Sequence, residues 1–311
     1  MQRREFLFAT AAVGAVTSLT RPARAATTPA TSVRSGRALS KGYMYGGGPR
    51  RDAKNKTAPS MGDTFKLLRA AGFAGVEVNS GMNQAEVIAA RDAAGLKVHS
   101  VVIANHWTHP LSSPDAAVRE TGLKGLLQGL RDARAYGADA VLLVPGVVNK
   151  DTPYDAAWER SIAAIRQAVP LATELRVAIA IENVWNKFLL SPREAAAYVD
   201  QFQSPWVKWY FDVGNVVDYG WPDQWIRILG PRIAKVHIKE FSRKIRDKEG
   251  PYAGFRTELH TGDSDWPAVM AALDAIGYRG WITSEQYRTP NLSDAEWFTR
   301  LSAQMDKIIA S

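Results

Sequence analysis

The sequence predicts a closed (β/α)8 barrel, and three observations carry that reading. Eight short β-type runs alternate with helical patterns from Lys41 onward. Several of the runs are continuous apolar or β-branched stretches, as strands buried on both faces of a parallel sheet require. No Pro/Gly/Ser-rich linker, repeat or low-complexity stretch breaks the pattern, so residues 41–311 read as one domain. A barrel of this kind takes roughly 250 residues, a length this stretch supplies.

The strands follow in order. The first four are 41–46 (KGYMYG), 74–79 (AGVEVN), 97–103 (KVHSVVI) and 139–144 (DAVLLV). The second four are 176–182 (RVAIAIE), 207–212 (VKWYFD), 233–239 (IAKVHIK) and 280–285 (GWITSE). Between them, Leu123, Leu126, Leu127 and Leu130 make one apolar helical stripe. Val269, Met270, Leu273 and Ile276 make another, closed by Gly277. Ser191-Pro192-Arg193-Glu194 and Ser293-Asp294-Ala295-Glu296 read as capping boxes that start helices. A doubly wound open sheet would announce itself with a glycine-rich nucleotide loop after the first strand. Gly46-Gly47-Gly48-Pro49 is not G-x-G-x-x-G and leads into polar residues, which favours the barrel.

The N-terminus has a different character. Arg3-Arg4-Glu5-Phe6-Leu7 precedes an apolar stretch from Phe8 to about Leu19, and Ala23-Arg24-Ala25 is an A-x-A cleavage signature. The apolar stretch is shorter than the ~20 residues a membrane span needs. Residues 1–25 resemble a Tat signal peptide, and 26–40, rich in Thr, Ser, Ala and Arg, read as a flexible linker. The expectation is passage through the Tat translocase to the periplasm or the exterior, with no stable membrane insertion after cleavage. The signal holds a net +3, so the formal charge of +8 falls to +5 without it. That mild excess, with no run of Lys/Arg interleaved with aromatics, does not point to nucleic acid. The chain has no cysteine, which excludes disulfides, thiolate metal sites and cysteine nucleophiles. Its oligomeric state is left open, a homo-oligomer being compatible with the sequence.

The chemistry is concentrated at strand ends. Glu182, Asp212, His237 and Glu285 fall at the C-terminal ends of four successive predicted strands. In a barrel that rim is where active sites are built. Neighbouring strands lie ~5 Å apart, close enough for four side chains to surround one ion. Taken singly, a carboxylate there can cap the next helix, and a histidine in an apolar strand can be a core residue. Agreement among four strands favours a divalent-metal site. Three carboxylates and an imidazole suit Mn2+ or Mg2+, with Zn2+ or Co2+ also compatible.

Together the stretches AGFAGVEVN, GLKVHSVV, IAIENVWN, WYFDVGNV, AKVHIKEF, GDSDW and GYRGWITSE resemble the xylose isomerase-like barrels of sugar phosphate isomerases and epimerases. Hydroxypyruvate isomerases, ketose 3-epimerases and endonuclease IV share that fold. The resemblance covers roughly residues 41–310. It implies that Glu182 and Glu285 both bind metal and move protons. A metal holding a carbonyl and an adjacent hydroxyl would stabilise an ene-diolate, with one glutamate on each face as base and acid. It also implies that Glu77 and His99 line the pocket and that Arg243 contacts substrate oxygens. From position alone, His106 and Trp107 after the third strand, Trp185 and Asn186 after the fifth, and Lys239 at the rim are further substrate-binding candidates.

The sequence departs from the family in two places. Endonuclease IV needs a histidine on the fourth strand and another after the sixth-strand aspartate. Here those places read Val144-Pro145-Gly146 and Asn215. Three-metal phosphodiester hydrolysis is therefore not expected. Asn215 also stands where several ketose epimerases use histidine against substrate, so it joins the substrate-binding set with an altered range. Tat export carries folded protein, so Mn2+ loaded inside the cell is the first expectation for the cofactor. An exported barrel more readily meets free sugars or keto-sugars than sugar phosphates. Two other readings stand beside the isomerase/epimerase: a metal-dependent lyase or hydrolase of 3-keto-glycosides, and a non-catalytic sugar-binding barrel.

Overall fold

The computed structural model describes residues 37–46 and 59–311. The signal segment, residues 26–36 of the linker, Gly47-Gly48-Pro49 and the two arginines at 50 and 51 lie outside the described residues. Eight parallel strands close on themselves in sequence order, the eighth pairing with the first. They are β1 Leu39–Met44, β2 Gly75–Asn79, β3 Lys97–Val102 and β4 Ala140–Leu143, then β5 Ala178–Glu182, β6 Val207–Asp212, β7 Ile233–Ile238 and β8 Gly280–Ser284. The predicted barrel is present, with strand ends displaced by two residues at most. One boundary is corrected: Leu39 and Ser40, read as linker, belong to β1, where they pair with Gly280 and Trp281.

The helices are α1 Met61–Ala70, α2 Gln84–Ala94, α3 Ala116–Tyr136, α4 Tyr154–Leu175 and α5 Pro192–Asp200, followed by α6 Val213–Val217, α7 Pro222–Leu229, α8 Arg243–Glu249, α9 Trp266–Ala275 and α10 Asp294–Ala310. None is long and apolar enough to cross a membrane. The Ser293 box forms in full: the Ser293 side chain accepts from Glu296 N, and the Glu296 carboxylate accepts from Ser293 N. At α5 only half of the box forms. Ser191 accepts from Glu194 N, but the Glu194 carboxylate takes Leu190 N and the Tyr154 hydroxyl instead.

The main apolar core lies between barrel and helices. Inside the barrel, Met44, Val102, Leu142, Ala180 and Tyr210 touch one another from five different strands. Polar groups share this interior: Glu77, His99, Lys235, His237 and Thr283 are all buried. Gly42 shows how tight the packing is, because a Cβ there would lie 2.5 Å from His99 Nε2. Two bulges set the phase of the inner residues. The β2–β3 register passes over His99, and the β6–β7 register passes over Ala234. A bulge re-aims the side chains that follow it. The second one fixes which way Lys235 and His237 point.

Candidate active site

The four strand-end side chains meet. Glu182, Asp212, His237 and Glu285 each offer one ligand atom, and all four atoms lie within 4.8 Å of one another. Glu182 closes β5 and Asp212 closes β6. Glu285 lies one residue past β8, where its N–H still donates to Ile238 O. Asp212 fulfils both readings open to a strand-end carboxylate. Its Oδ1 caps α6 by accepting from Asn215 N at 2.7 Å, while its buried Oδ2 accepts no well-formed hydrogen bond.

His237 is oriented from behind. Its Nε2 lies 2.8 Å from Glu77 Oε1, and Glu77 Oε2 accepts from the Tyr210 hydroxyl at 2.6 Å. That leaves Nδ1 toward the cluster, 3.0 Å from Glu182, 3.6 Å from Glu285 and 3.8 Å from Asp212. A metal-binding histidine commonly gives its other N–H to a carboxylate in this way, which fixes the tautomer and raises ligand basicity. Oxygen-rich donors and one imidazole nitrogen turned toward them together fit a hard or borderline divalent cation.

The electrostatics are uneven across the cluster. Burial pushes the Glu182 carboxyl up from its ordinary value and pushes Asp212 up to about 7. Burial acts the same way on Glu285, but the Lys239 ammonium and His237 outweigh it and hold that carboxyl down at about 2. Lys239 Nζ lies 2.5 Å from Glu285 Oε2 and 3.1 Å from Asp212 Oδ2. Gly214 permits that approach, since a Cβ there would sit 2.5 Å from Lys239 Cγ. Two glutamates at one site are thus pushed in opposite directions.

Glu182 and Glu285 both open into a cavity of about 330 Å³ at the C-terminal mouth of the barrel. Of the other sequence candidates, His106, Trp107, Trp185, Asn215 and Lys239 line it. Four do not. Glu77 is buried behind His237 and braces it. His99 stacks on Trp281 at 4.4 Å and meets Thr283 on the side of the barrel away from the cavity. Asn186 is consumed by the backbone, giving Nδ2 to Gly146 O and taking Phe188 N on Oδ1. Arg243 gives its guanidinium to Gly220 O and lies over the Trp221 ring.

Other residues of the site were not singled out by sequence. Asn183 ties β5 to β6, its Oδ1 accepting from Asp212 N and Trp209 Nε1 and its Nδ2 donating to Asp212 O. Glu240 is buried and accepts from Phe241 N, Ser264 N, His260 N and Trp266 Nε1. It pins the segment after β7 that carries Tyr252 and Phe255. Those two rings and Tyr287 complete the cavity wall. Adjacency to Glu182, His237 and Glu285 was the signal available for Asn183, Glu240 and Tyr287. Tyr252 and Phe255 carried none.

Comparison with known proteins agrees with this architecture. The profile described as xylose isomerase-like TIM barrel matches residues 65–303. The L-ribulose-5-phosphate 3-epimerase UlaE of Salmonella paratyphi C is 25% identical over 195 residues, which is 62% of this chain and 66% of that protein. The solved L-ribulose 3-epimerase superposes with a TM-score of 0.72 at 20% identity, covering 88% of this chain and 95% of the other. The 3-keto-D-glucoside 4-epimerase YcjR of E. coli superposes with a TM-score of 0.71 at 14% identity, covering 88% and 100%. With the profile spanning more than half of its length, the chain belongs to the xylose isomerase-like TIM barrel family.

Proposed function

We propose that this chain is a divalent-metal-dependent sugar epimerase that acts on a keto-sugar, with Glu182 and Glu285 as its proton carriers. One observation supports this above the others: the two glutamates converge with Asp212 and His237 and open into a single cavity. The 3-epimerase relatives favour epimerisation over aldose–ketose isomerisation. The cation would be held by Glu182, Asp212, His237 and Glu285, with Mn2+ first in expectation and Mg2+, Zn2+ and Co2+ behind. When bound, it would polarise the ketone and offset the negative charge that develops as the neighbouring carbon loses its proton. One of the two glutamates takes the proton from one face of the substrate. The other returns one to the opposite face and inverts the carbon. Trp185, Trp107 and His106 cover the sugar, and Asn215 lines its edge.

The test is incubation of metal-loaded protein with a ketose in heavy water. Deuterium should enter the carbon beside the ketone, and Glu182→Gln and Glu285→Gln should each slow it by about a thousand-fold. Undiminished exchange in either variant counts against the assignment. Metal analysis of protein purified without added metal tests the preference for Mn2+, and stoichiometric copper argues against it. The twin-arginine segment and the Ala23-Arg24-Ala25 signature support export through Tat. Changing Arg3 and Arg4 to lysine should retain the protein in the cytoplasm.

A further inference from the structure

Lys239 follows β7 by one residue, and its ammonium is aimed at the ligand cluster. Nζ lies 2.5 Å from Glu285 Oε2 and 3.1 Å from Asp212 Oδ2. The same two oxygens lie 3.6 Å and 3.8 Å from His237 Nδ1. Asp212 Oδ1 is turned to Asn215 N, which leaves Oδ2 to the cluster. The ammonium therefore draws on oxygens that a cation held by these side chains would also need. The placement is built into the fold. Where Gly214 stands, a Cβ would lie 2.5 Å from Lys239 Cγ and 2.6 Å from Lys239 O, so a side chain there would push the stem away from Asp212. Phe255 faces the ammonium from 5.2 Å. The backbone beyond it is fastened: Glu240 N donates to Gln286 Oε1 at 2.8 Å, cross-tying the residues that follow Lys239 and Glu285. Burying an ammonium is costly unless carboxylates offset it, and here two do.

Charges repel in proportion to their product. A fixed positive charge touching two ligand oxygens therefore opposes any cation that those oxygens take up, and it opposes a trivalent ion about 1.5 times as strongly as a divalent one. That increment depends on Lys239 alone. The hydration of the ion and the other charges of the site cancel when a variant lacking the ammonium is compared with the parent. The same ammonium offsets the mutual repulsion of Asp212 and Glu285, so it stabilises the folded chain by itself. Resting on the metal site proposed above, we infer that Lys239 is a selectivity residue of that site. Its ammonium lowers the affinity for the cation and discriminates against trivalent ions. Stability without metal and tight metal binding are thus set against each other in one side chain.

Chelator-competition titrations of the purified chain with Mn2+ and with Tb3+ test this, at about pH 8, where protons compete little for the carboxylates. Lys239→Met keeps the length of the stem and removes the charge. It should bind Mn2+ at least about ten-fold more tightly than the parent and Tb3+ at least about thirty-fold more tightly. Lys239→Arg keeps the charge and should gain for neither ion. Thermal melts in chelator should show Lys239→Met to be less stable than the parent. Mn2+ affinity in Lys239→Met equal to or below that of the parent overturns the inference, and it is the result a merely structural lysine would give. Equal gains for the two ions overturn it as well, because a charge effect must scale with the ion. Should Lys239→Met fail to fold, Lys239→Gln, which retains a hydrogen-bond donor to the two carboxylates, is held to the same affinities. A parent that binds neither ion removes the metal site itself, and the inference with it; a parent that binds both while the variants show no gain removes the inference alone.

Discussion

Glu77 touches neither the cavity nor any proposed substrate, yet its replacement by glutamine should weaken metal binding. Its carboxylate holds His237 Nε2 at 2.8 Å and the Tyr210 hydroxyl at 2.6 Å, with all three groups buried. Hydrogen bonds to a charged acceptor contribute about 1.5–3 kcal/mol each, against about 1 kcal/mol for neutral ones. Glutamine matches the shape but has one acceptor oxygen and no charge, so with His237 on that oxygen the Tyr210 hydroxyl must turn to accept from the amide N–H, and both charge-assisted bonds become neutral ones. The expected loss of stability is roughly 2–3 kcal/mol. A larger consequence falls on the ligand. Without the carboxylate behind it, His237 is less basic at Nδ1 and less firmly turned toward the cluster. Loss of such a partner weakens metal affinity by about 10–100-fold. Titration of apo-protein with Mn2+ or Zn2+ against a chromogenic chelator gives the affinity, and thermal melts of the same samples give the stability. If Glu77→Gln binds metal as tightly as the parent while its Tm falls, Glu77 is a packing residue and the argument that it orients His237 is wrong.

Three further outcomes are expected. Stripping metal with a chelator should lower Tm. Restoring it at ~1,000 times Kd should return about 4 kcal/mol in the parent and far less in Asp212→Asn, and a chelator-insensitive parent melt contradicts the site. Gly42→Ala places a Cβ 2.5 Å from His99 Nε2 and 2.8 Å from Thr283 Oγ1, so it should cost about 1–3 kcal/mol of stability with metal affinity unchanged. Burial holds the His106 pKa down at about 4, below the unfolded value of about 6.5. The unfolded chain therefore binds an extra proton between those values, so stability falls as pH drops through the window, by up to about 3 kcal/mol. His106→Asn should flatten that part of the pH–stability curve, and an unchanged slope in urea melts speaks against a buried neutral imidazole.

The barrel was legible because strands covered on both faces write themselves as uninterrupted apolar runs, which IAIE and WYFD illustrate. The ligands were legible because each stands at a strand end, and consecutive ends of a barrel must share one mouth. What a linear reading lacks is the direction in which a side chain points within a closed cylinder. His99 and Glu77 sit in runs that look alike, but the bulge at His99 separates their phases. Glu77 turns to His237, and His99 lies against Trp281 on the far side. Asn186 looked available because it follows Trp185. In the fold its amide is consumed by Gly146 O and Phe188 N, contacts that depend on how the loop after β4 meets the loop after β5. The aromatic wall was hidden for a related reason. Trp185, Phe255 and Tyr287 come from three separate connections that only barrel closure makes neighbours.

The contacts from Glu182 through His237 and Glu77 to Tyr210 form a crossbeam through the bore. Every ligand sits on the last four staves, but the brace behind the imidazole comes from the second. Cutting the polypeptide between the fourth and fifth staves would give the C-terminal piece all four donors and leave its histidine unsupported. The two halves are therefore joined in one polar unit, the N-terminal one supplying through Glu77 the middle link of a beam whose other members all lie in the C-terminal one.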